Sequence, residues 1–165
     1  MKKEYKRWIL LLSWICWMGV IFAFSAKTAP ESTVQSNRVG KLLCSVFVEG
    51  YGSMPSEEQL KMAENIDFFV RKTAHFLEYS LLGVLTLLAV KAWFRIKGPF
   101  RSRYLWGALF WCVFYAISDE LHQYFVPGRA CKVQDMILDS FGAAFGILLV
   151  LLFFICYKKT GKDPA

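Results

Sequence analysis

Ionisable and amide side chains recur at helical spacing in three separate segments of the chain. The residues are Arg71, Lys72, His75, Glu78 and Tyr79, then Asp119, Glu120, His122, Gln123 and Arg129, and finally Asp135 and Asp139. Side chains three or four positions apart share one face of a helix. The first and last segments are therefore each predicted to form a polar stripe. In the second segment Asp119, His122 and Gln123 can share a face, whereas Glu120 lies on another face and Arg129 follows in the loop after the Pro-Gly turn. These residue types can bind anions, transfer protons or ligate metals.

The basic side chains favour a binding site for an anion. Arg129, together with Arg71 or Lys72, can hold a phosphate or a carboxylate through paired hydrogen bonds. Tyr79 and Gln123 add groups that can hold sugar or peptide atoms. We expect such a site to bind without turnover and to depend strongly on Arg129.

Acid–base catalysis is a second interpretation, in which the protein is a membrane-embedded hydrolase or transferase. His75 lies three residues before Glu78, and His122 lies three residues after Asp119. Each histidine can therefore act as a general base beside a carboxylate, and Glu120 is a further candidate. Metal ligation by these histidines and two carboxylates is less favoured, because the rest of a zinc-protease signature is missing. We predict no metal and no other cofactor.

A purely structural role is the third interpretation. The cluster contains five carboxylates and four cations, namely Glu78, Asp119, Glu120, Asp135, Asp139, Arg71, Lys72, Arg129 and Lys132. Such a network can hold helices in register if every member is paired. Apolar packing gives the same stability without the cost of desolvating charges, which favours a functional use for some of the groups.

Apolar segments must position these residues. Four apolar blocks lie at about 8–24, 74–94, 104–121 and 137–157, in a chain of 165 residues that is 56% hydrophobic. Each block has, or nearly has, the roughly 17–25 residues of a spanning helix. The blocks lack the alternating pattern of barrel strands. We therefore predict a single all-α membrane domain, residues 1–165, with four transmembrane helices.

The basic residues indicate the orientation of these helices. Twelve of the twenty Lys and Arg residues lie in three short segments, namely Lys2, Lys3, Lys6, Arg7, Lys91, Arg95, Lys97, Arg101, Arg103, Lys158, Lys159 and Lys162. Lys and Arg beside a span are retained in the cytoplasm, so both chain ends are predicted to be inside. This placement accounts for the net charge of +7 without a nucleic-acid partner.

The segment between the first two blocks is predicted to lie outside the membrane. Residues 25–32 form a predicted turn around Pro30. Residues 34–47 have a helical pattern that is too polar to span, so an amphipathic helix is expected on the outer membrane surface. Pro55, before an acidic first turn, predicts the start of a helix that continues into the second span.

The polar stripes are expected to meet at the outer face. Asp119 follows Arg103 by 16 residues, about 24 Å along a helix, which reaches the far boundary of a hydrocarbon core about 30 Å thick. Asp139 shares a helix face with Gly142 and Gly146. Glycines at this spacing let another helix approach closely, which directs the aspartate into the bundle.

The polar residues also form three spaced motifs. They read Arg71-Lys72-x-x-His75-Phe76-x-Glu78-Tyr79, Ser118-Asp119-Glu120-x-His122-Gln123-x-Phe125-x-Pro127-Gly128-Arg129 and Asp135-x-x-x-Asp139-x-x-Gly142. In this order, and over nearly the whole chain, they resemble the VanZ-like family of bacterial membrane proteins. The Ser25 region that closes the first block is also similar.

The resemblance implies a function as well as a location. The member that gives the family its name is associated with reduced susceptibility to teicoplanin in Gram-positive bacteria. The chain is therefore expected to be a multi-pass protein of the bacterial cell membrane with a role in the cell envelope and in glycopeptide susceptibility. Its expected partners are membrane lipid and a lipid-linked envelope precursor or glycopeptide. The resemblance specifies neither a reaction nor an oligomeric state.

Overall fold

A computed structural model describes residues 2–97 and 99–159. These residues form five α-helices and a single 3-10 turn, namely α1 (Lys2–Ser25), α2 (Ala29–Phe47), the turn Tyr51–Ser53, α3 (Ser56–Trp93), α4 (Ser102–Tyr124) and α5 (Val133–Lys159). No strand is present in these two ranges, so the all-α prediction is confirmed. Lys162, part of the third basic cluster, lies outside the described residues.

Three of the described helices are long and apolar enough to cross a membrane. They are α1, over Glu4–Ser25, α3, and α5, over Val133–Lys158. The remaining predicted span, at 104–121, falls within α4. This helix has 23 residues but is not one of the three helices that are apolar enough to span. Its apolar part is rich in Trp and Tyr, which carry polar groups, and its last turns carry Asp119 and Glu120. Four spans with both ends inside remain a prediction.

Helix α5 runs parallel to α3 and makes backbone contact with it. A Cβ built at Gly142 would lie 2.5 Å from the carbonyl oxygen of Phe76, and one at Gly146 would overlap the carbonyl oxygen of Ser80. The predicted close approach at these glycines is thus confirmed, with α3 as the partner. Asp139, one turn before Gly142, is consequently held against α3.

Helices α1 and α4 also pack against α3, both antiparallel to it. The indole Nε1 of Trp14 donates a hydrogen bond to Thr86 Oγ1 at 3.0 Å. The same hydroxyl lies 3.5 Å from the sulfur of Cys112 in α4. The buried core where these helices meet is formed by Ile21, Tyr79, Leu82, Cys112, Ala116 and Ala143. The side chains at the centre of the bundle therefore come from α1, α3, α4 and α5.

Helix α2 packs antiparallel along the first half of α3. A Cβ at Gly40 would lie 3.2 Å from Cβ of Ala63, and the hydroxyl of Ser36 donates to Asp67. Since α3 is continuous over 38 residues, it is about 57 Å long, roughly twice the thickness of a hydrocarbon core. Its predicted start after Pro55 and its continuation into the span are confirmed. The first half of α3 and α2 form a helical hairpin at one end of the bundle.

The turn predicted over residues 25–32 is shorter in the structure. Helix α2 begins at Ala29, and both the N–H and the hydroxyl of Thr28 donate to the carboxylate of Glu31, at 2.9 and 2.8 Å. These hydrogen bonds hold the pKa of Glu31 below its ordinary value. Pro30 fits the first turn because residues there need no partner for a backbone N–H. The prediction of a turn beyond residue 28 is therefore wrong.

We expect Gly146→Ala to lower the free energy of unfolding by about 1–3 kcal/mol, because the added methyl group must push α3 and α5 apart. Thermal unfolding in one detergent measures this. The matched control is Gly107→Ala in α4, where nothing lies within 4 Å of an added Cβ. The control should be neutral or stabilising by up to about 1 kcal/mol, since alanine is the better helix former. Equal effects of the two substitutions would contradict the close contact.

Candidate polar site

Two adjoining clefts open at the end of the bundle where α1 ends and α5 begins. The smaller cleft, about 160 Å³ in volume, lies between α3 and the loop that joins α4 to α5. The larger cleft, about 280 Å³ in volume, lies between the end of α1, α2 and α3. Both clefts are lined by Arg71, His75 and Arg129. These three residues therefore form the boundary at which the clefts meet.

Positive charge is in excess around the smaller cleft. Four cationic side chains line it, namely Arg71, Lys72, Arg129 and Lys132. The one carboxylate in its lining is that of Asp135, which is paired with Lys72. A second carboxylate, that of Asp67, forms an ion pair with Arg71 at 2.6 Å. Two cations in the lining, Arg129 and Lys132, thus form no ion pair with a carboxylate among the described residues.

The side chain of Arg129 is fixed by the backbone of the opposite loop. Its Nε donates to the carbonyl oxygen of Lys27 at 3.1 Å, and nearby the N–H of Ala29 donates to the carbonyl oxygen of Pro127 at 3.3 Å. Burial and the charge of Arg71 lower the pKa of Arg129 below its ordinary value, but a guanidinium stays protonated at neutral pH. An anion between the two arginines would relieve their mutual repulsion.

His75 joins the clefts to a buried carboxylate. Its Nδ1 lies 3.6 Å from Oδ1 of Asp139, which is completely buried. Neither oxygen of Asp139 has a hydrogen-bond partner within the described part of the chain, and the buried hydroxyl of Tyr79 also has none. Buried polar groups are normally satisfied by protein or ordered water. The carboxylate of Asp139 and the hydroxyl of Tyr79, both close to the cleft residue His75, can therefore each form further hydrogen bonds.

The two acidic residues of α4 brace the loops around the site. The hydroxyl of Ser25 donates to Oδ2 of Asp119 at 2.7 Å, and Nε2 of Gln123 donates to the same oxygen at 3.2 Å. The backbone N–H of Lys132 donates to Oε2 of Glu120 at 2.9 Å. Asp119 thus ties the end of α1 to α4, and Glu120 ties α4 to the start of α5.

The histidines do not pair with the carboxylates that their spacing predicts as partners. No hydrogen bond or ion pair links His75 to Glu78, or His122 to Asp119, among the residues described. The ring of His122 instead stacks on Phe22, with centroids 4.4 Å apart, and lines neither cleft. Over the same ranges, no group of three or more His, Cys, Asp or Glu residues is arranged to hold a metal ion.

Sequence reasoning missed two contributors to the site. Asp67 lies four residues before Arg71, and this spacing of an acid before a base on a helix could have revealed their ion pair. The apolar wall of the larger cleft was also missed, and its members are Phe24, Val39, Val70 and Ala74. No local signal marks that wall, because it combines residues of α1, α2 and α3.

A family model described as VanZ/LLP1 matches residues 10–154. The match covers most of the chain and includes all three polar motifs. No curated protein and no solved structure matches the sequence.

We expect Ser25→Ala to lower the free energy of unfolding by about 1–3 kcal/mol, because it leaves a buried oxygen of Asp119 without its closest donor. Thermal unfolding of the purified protein measures the change. The matched control is Ser118→Ala, since Ser118 is exposed and its hydroxyl bonds only to the carbonyl oxygen of Tyr115 on its own helix. A change within about 0.5 kcal/mol is expected there. If Ser25→Ala were as mild as this control, the α1–α4 link would carry no stability.

Proposed function

The chain belongs to the VanZ/LLP1 family, and we propose that it is a multi-pass protein of the bacterial cell membrane that binds a phosphate-bearing lipid headgroup or lipid-linked envelope precursor. The site is formed by the two clefts around Arg71 and Arg129. The single observation that carries the proposal is the excess positive charge in the smaller cleft, where a fixed arginine faces a second arginine.

The directions of the helices support four spans. Lys72 near the start of the α3 span pairs with Asp135 at the start of α5, and Lys91 near the end of α3 lies over the ring of Phe154 near the end of α5. Two parallel spans require the intervening chain to return across the membrane. Helix α4 lies between them in sequence and packs antiparallel to α3, so it is suited to that return. The basic clusters then orient both ends toward the cytoplasm and the clefts toward the outer leaflet.

The chemistry of the clefts favours phosphate over other anions. Arginine presents a planar fork of donors that matches the oxygens of a phosphate, and two such forks can share one group. At the depth where the clefts open, lipid headgroups are the most abundant phosphates. The apolar wall formed by Phe24, Val39 and Val70 supplies a surface for the adjoining part of a lipid.

Catalysis is the second candidate function, and it is favoured by one observation. His75 faces both clefts and lies 3.6 Å from the buried carboxylate of Asp139. A histidine beside a buried carboxylate, which a small movement would bring within hydrogen-bond distance, provides the groups that general-base catalysis needs. Recovery of the bound lipid chemically unchanged after prolonged incubation, measured by mass spectrometry, would oppose this candidate and leave the binding function standing.

We expect purified protein in a neutral detergent to bind short-chain phosphatidylglycerol, and Arg129→Gln to weaken binding about tenfold or more. The reason is the loss of a charge-assisted hydrogen bond worth about 1.5–3 kcal/mol. Calorimetric titration measures both affinities. The matched control is Arg38→Gln, since Arg38 is exposed on α2 and lines neither cleft. Equal affinities of Arg129→Gln and the control would refute the site.

We also propose that this binding lowers susceptibility to teicoplanin. A Gram-positive host that expresses the wild type should tolerate more teicoplanin than the same host without it, and Arg129→Ala should abolish the difference at matched membrane levels. Minimum inhibitory concentrations of teicoplanin and vancomycin measure the effect, with Arg38→Ala as the control. Lack of protection by the wild type would contradict the antibiotic role and would not affect the binding result.

A further inference from the structure

Glu78 lines the larger cleft without an ion-pair partner among the described residues. It is half-buried on α3, and no cation or hydrogen-bond donor of the described residues is paired with its carboxylate. The titratable groups that act on it are His75, Asp119 and Asp139, of which two are acids. A half-buried carboxylate in this setting lacks the partner that burial normally requires.

The two clefts therefore differ in the sign of the side-chain charge that has no ion-pair partner among the described residues. The smaller cleft has cations in excess, whereas the larger cleft has the carboxylate of Glu78 beyond the shared boundary of Arg71, His75 and Arg129. The larger cleft is also lined by uncharged polar side chains, namely Ser25, Ser32, Gln35 and Ser36. A ligand that carries only a phosphate would satisfy the arginines and leave Glu78 unpaired.

We propose that the ligand is zwitterionic, a phosphodiester lipid that also bears a primary ammonium group, as in an ethanolamine headgroup. Its phosphate lies between Arg71 and Arg129, and its ammonium donates to Glu78. This inference rests on the proposed binding of a phosphate-bearing lipid and names the class of headgroup.

The spacing along α3 agrees with a headgroup of this size. Glu78 follows Arg71 by seven residues, which is about 10 Å along a helix. A phosphate and an ammonium joined by a short linker, with a hydrogen bond of about 3 Å at each end, span such a distance. An ammonium also brings three donors and a full positive charge to a carboxylate that has neither.

The apolar surroundings indicate that the headgroup is attached to a chain. Phe24, Val39 and Val70 line the larger cleft together with Glu78. An acyl chain against this apolar wall would remove both surfaces from water. The ligand is therefore a membrane lipid and not a soluble phosphoamine.

The test compares two short-chain lipids that differ only in the headgroup, phosphatidylethanolamine and phosphatidylglycerol, by calorimetric titration in neutral detergent. The wild type should bind the ethanolamine lipid about tenfold more tightly, which is the gain from one charge-assisted hydrogen bond. Glu78→Gln should remove the preference by weakening the ethanolamine lipid about tenfold, and Glu78→Asp should retain part of it. Glu64→Gln is the matched control, since Glu64 is exposed on α3 and lines neither cleft.

The outcomes separate this inference from the proposed function. Equal affinity of the wild type for both lipids, or a preference that survives Glu78→Gln, would overturn the zwitterionic ligand while phosphate binding through Arg129 stands. Binding of neither lipid would overturn both. Titration with soluble phosphoethanolamine tests whether the ligand is a membrane lipid or a soluble molecule with the same headgroup. An affinity equal to that of the lipid would overturn the assignment to a membrane lipid, and binding at least tenfold weaker is expected.

Discussion

The contact between the backbones of α3 and α5 determines where the polar groups of the site can lie. Because a methyl group at Gly142 or Gly146 would overlap the carbonyl oxygens of α3, the two helices can adopt this separation only with glycine at these positions. The contact also fixes their register, which brings Asp135 to Lys72 and Asp139 to His75. The site is thus a consequence of a packing contact between two apolar stretches of helix.

Because burying polar groups is costly, the charged side chains of the site use some of their atoms to hold neighbouring segments of the protein and leave others without a partner in the described part of the chain. Asp119 and Glu120 each use one oxygen to secure a neighbouring segment, so their charges are partly offset by donors of the protein. Arg129 is secured in the same way through Nε and lines both clefts, and its guanidinium forms no ion pair with a carboxylate among the described residues. Groups that are tied down on one side and unsatisfied on the other are suited to meet a ligand with little rearrangement.

Sequence patterns predicted what is local and missed what depends on packing across helices. The apolar blocks and the glycine face of α5 follow from hydropathy and periodicity, and the start of α3 follows from Pro55 before an acidic turn. The structure confirms a helix over each block, three of them apolar enough to span, and confirms the other two features. Spacing within one helix paired His75 with Glu78, whereas the closest carboxylate, Asp139, comes from another helix and is set by a register that no local pattern encodes. Pro30 suggests a turn when the sequence is considered alone, although its missing N–H is harmless in the first turn of a helix.

The unbroken length of α3 has a mechanical consequence. A helix bends sharply only where its hydrogen-bond ladder is interrupted, and α3 has no proline over Ser56–Trp93. It is therefore expected to move as one rigid rod. A ligand that draws α2 and the first half of α3 toward the loop after α4 would rotate the far end of the same rod, where Lys91 and Trp93 lie. Occupancy of the clefts would in this way reach the opposite end of α3 as a rigid displacement.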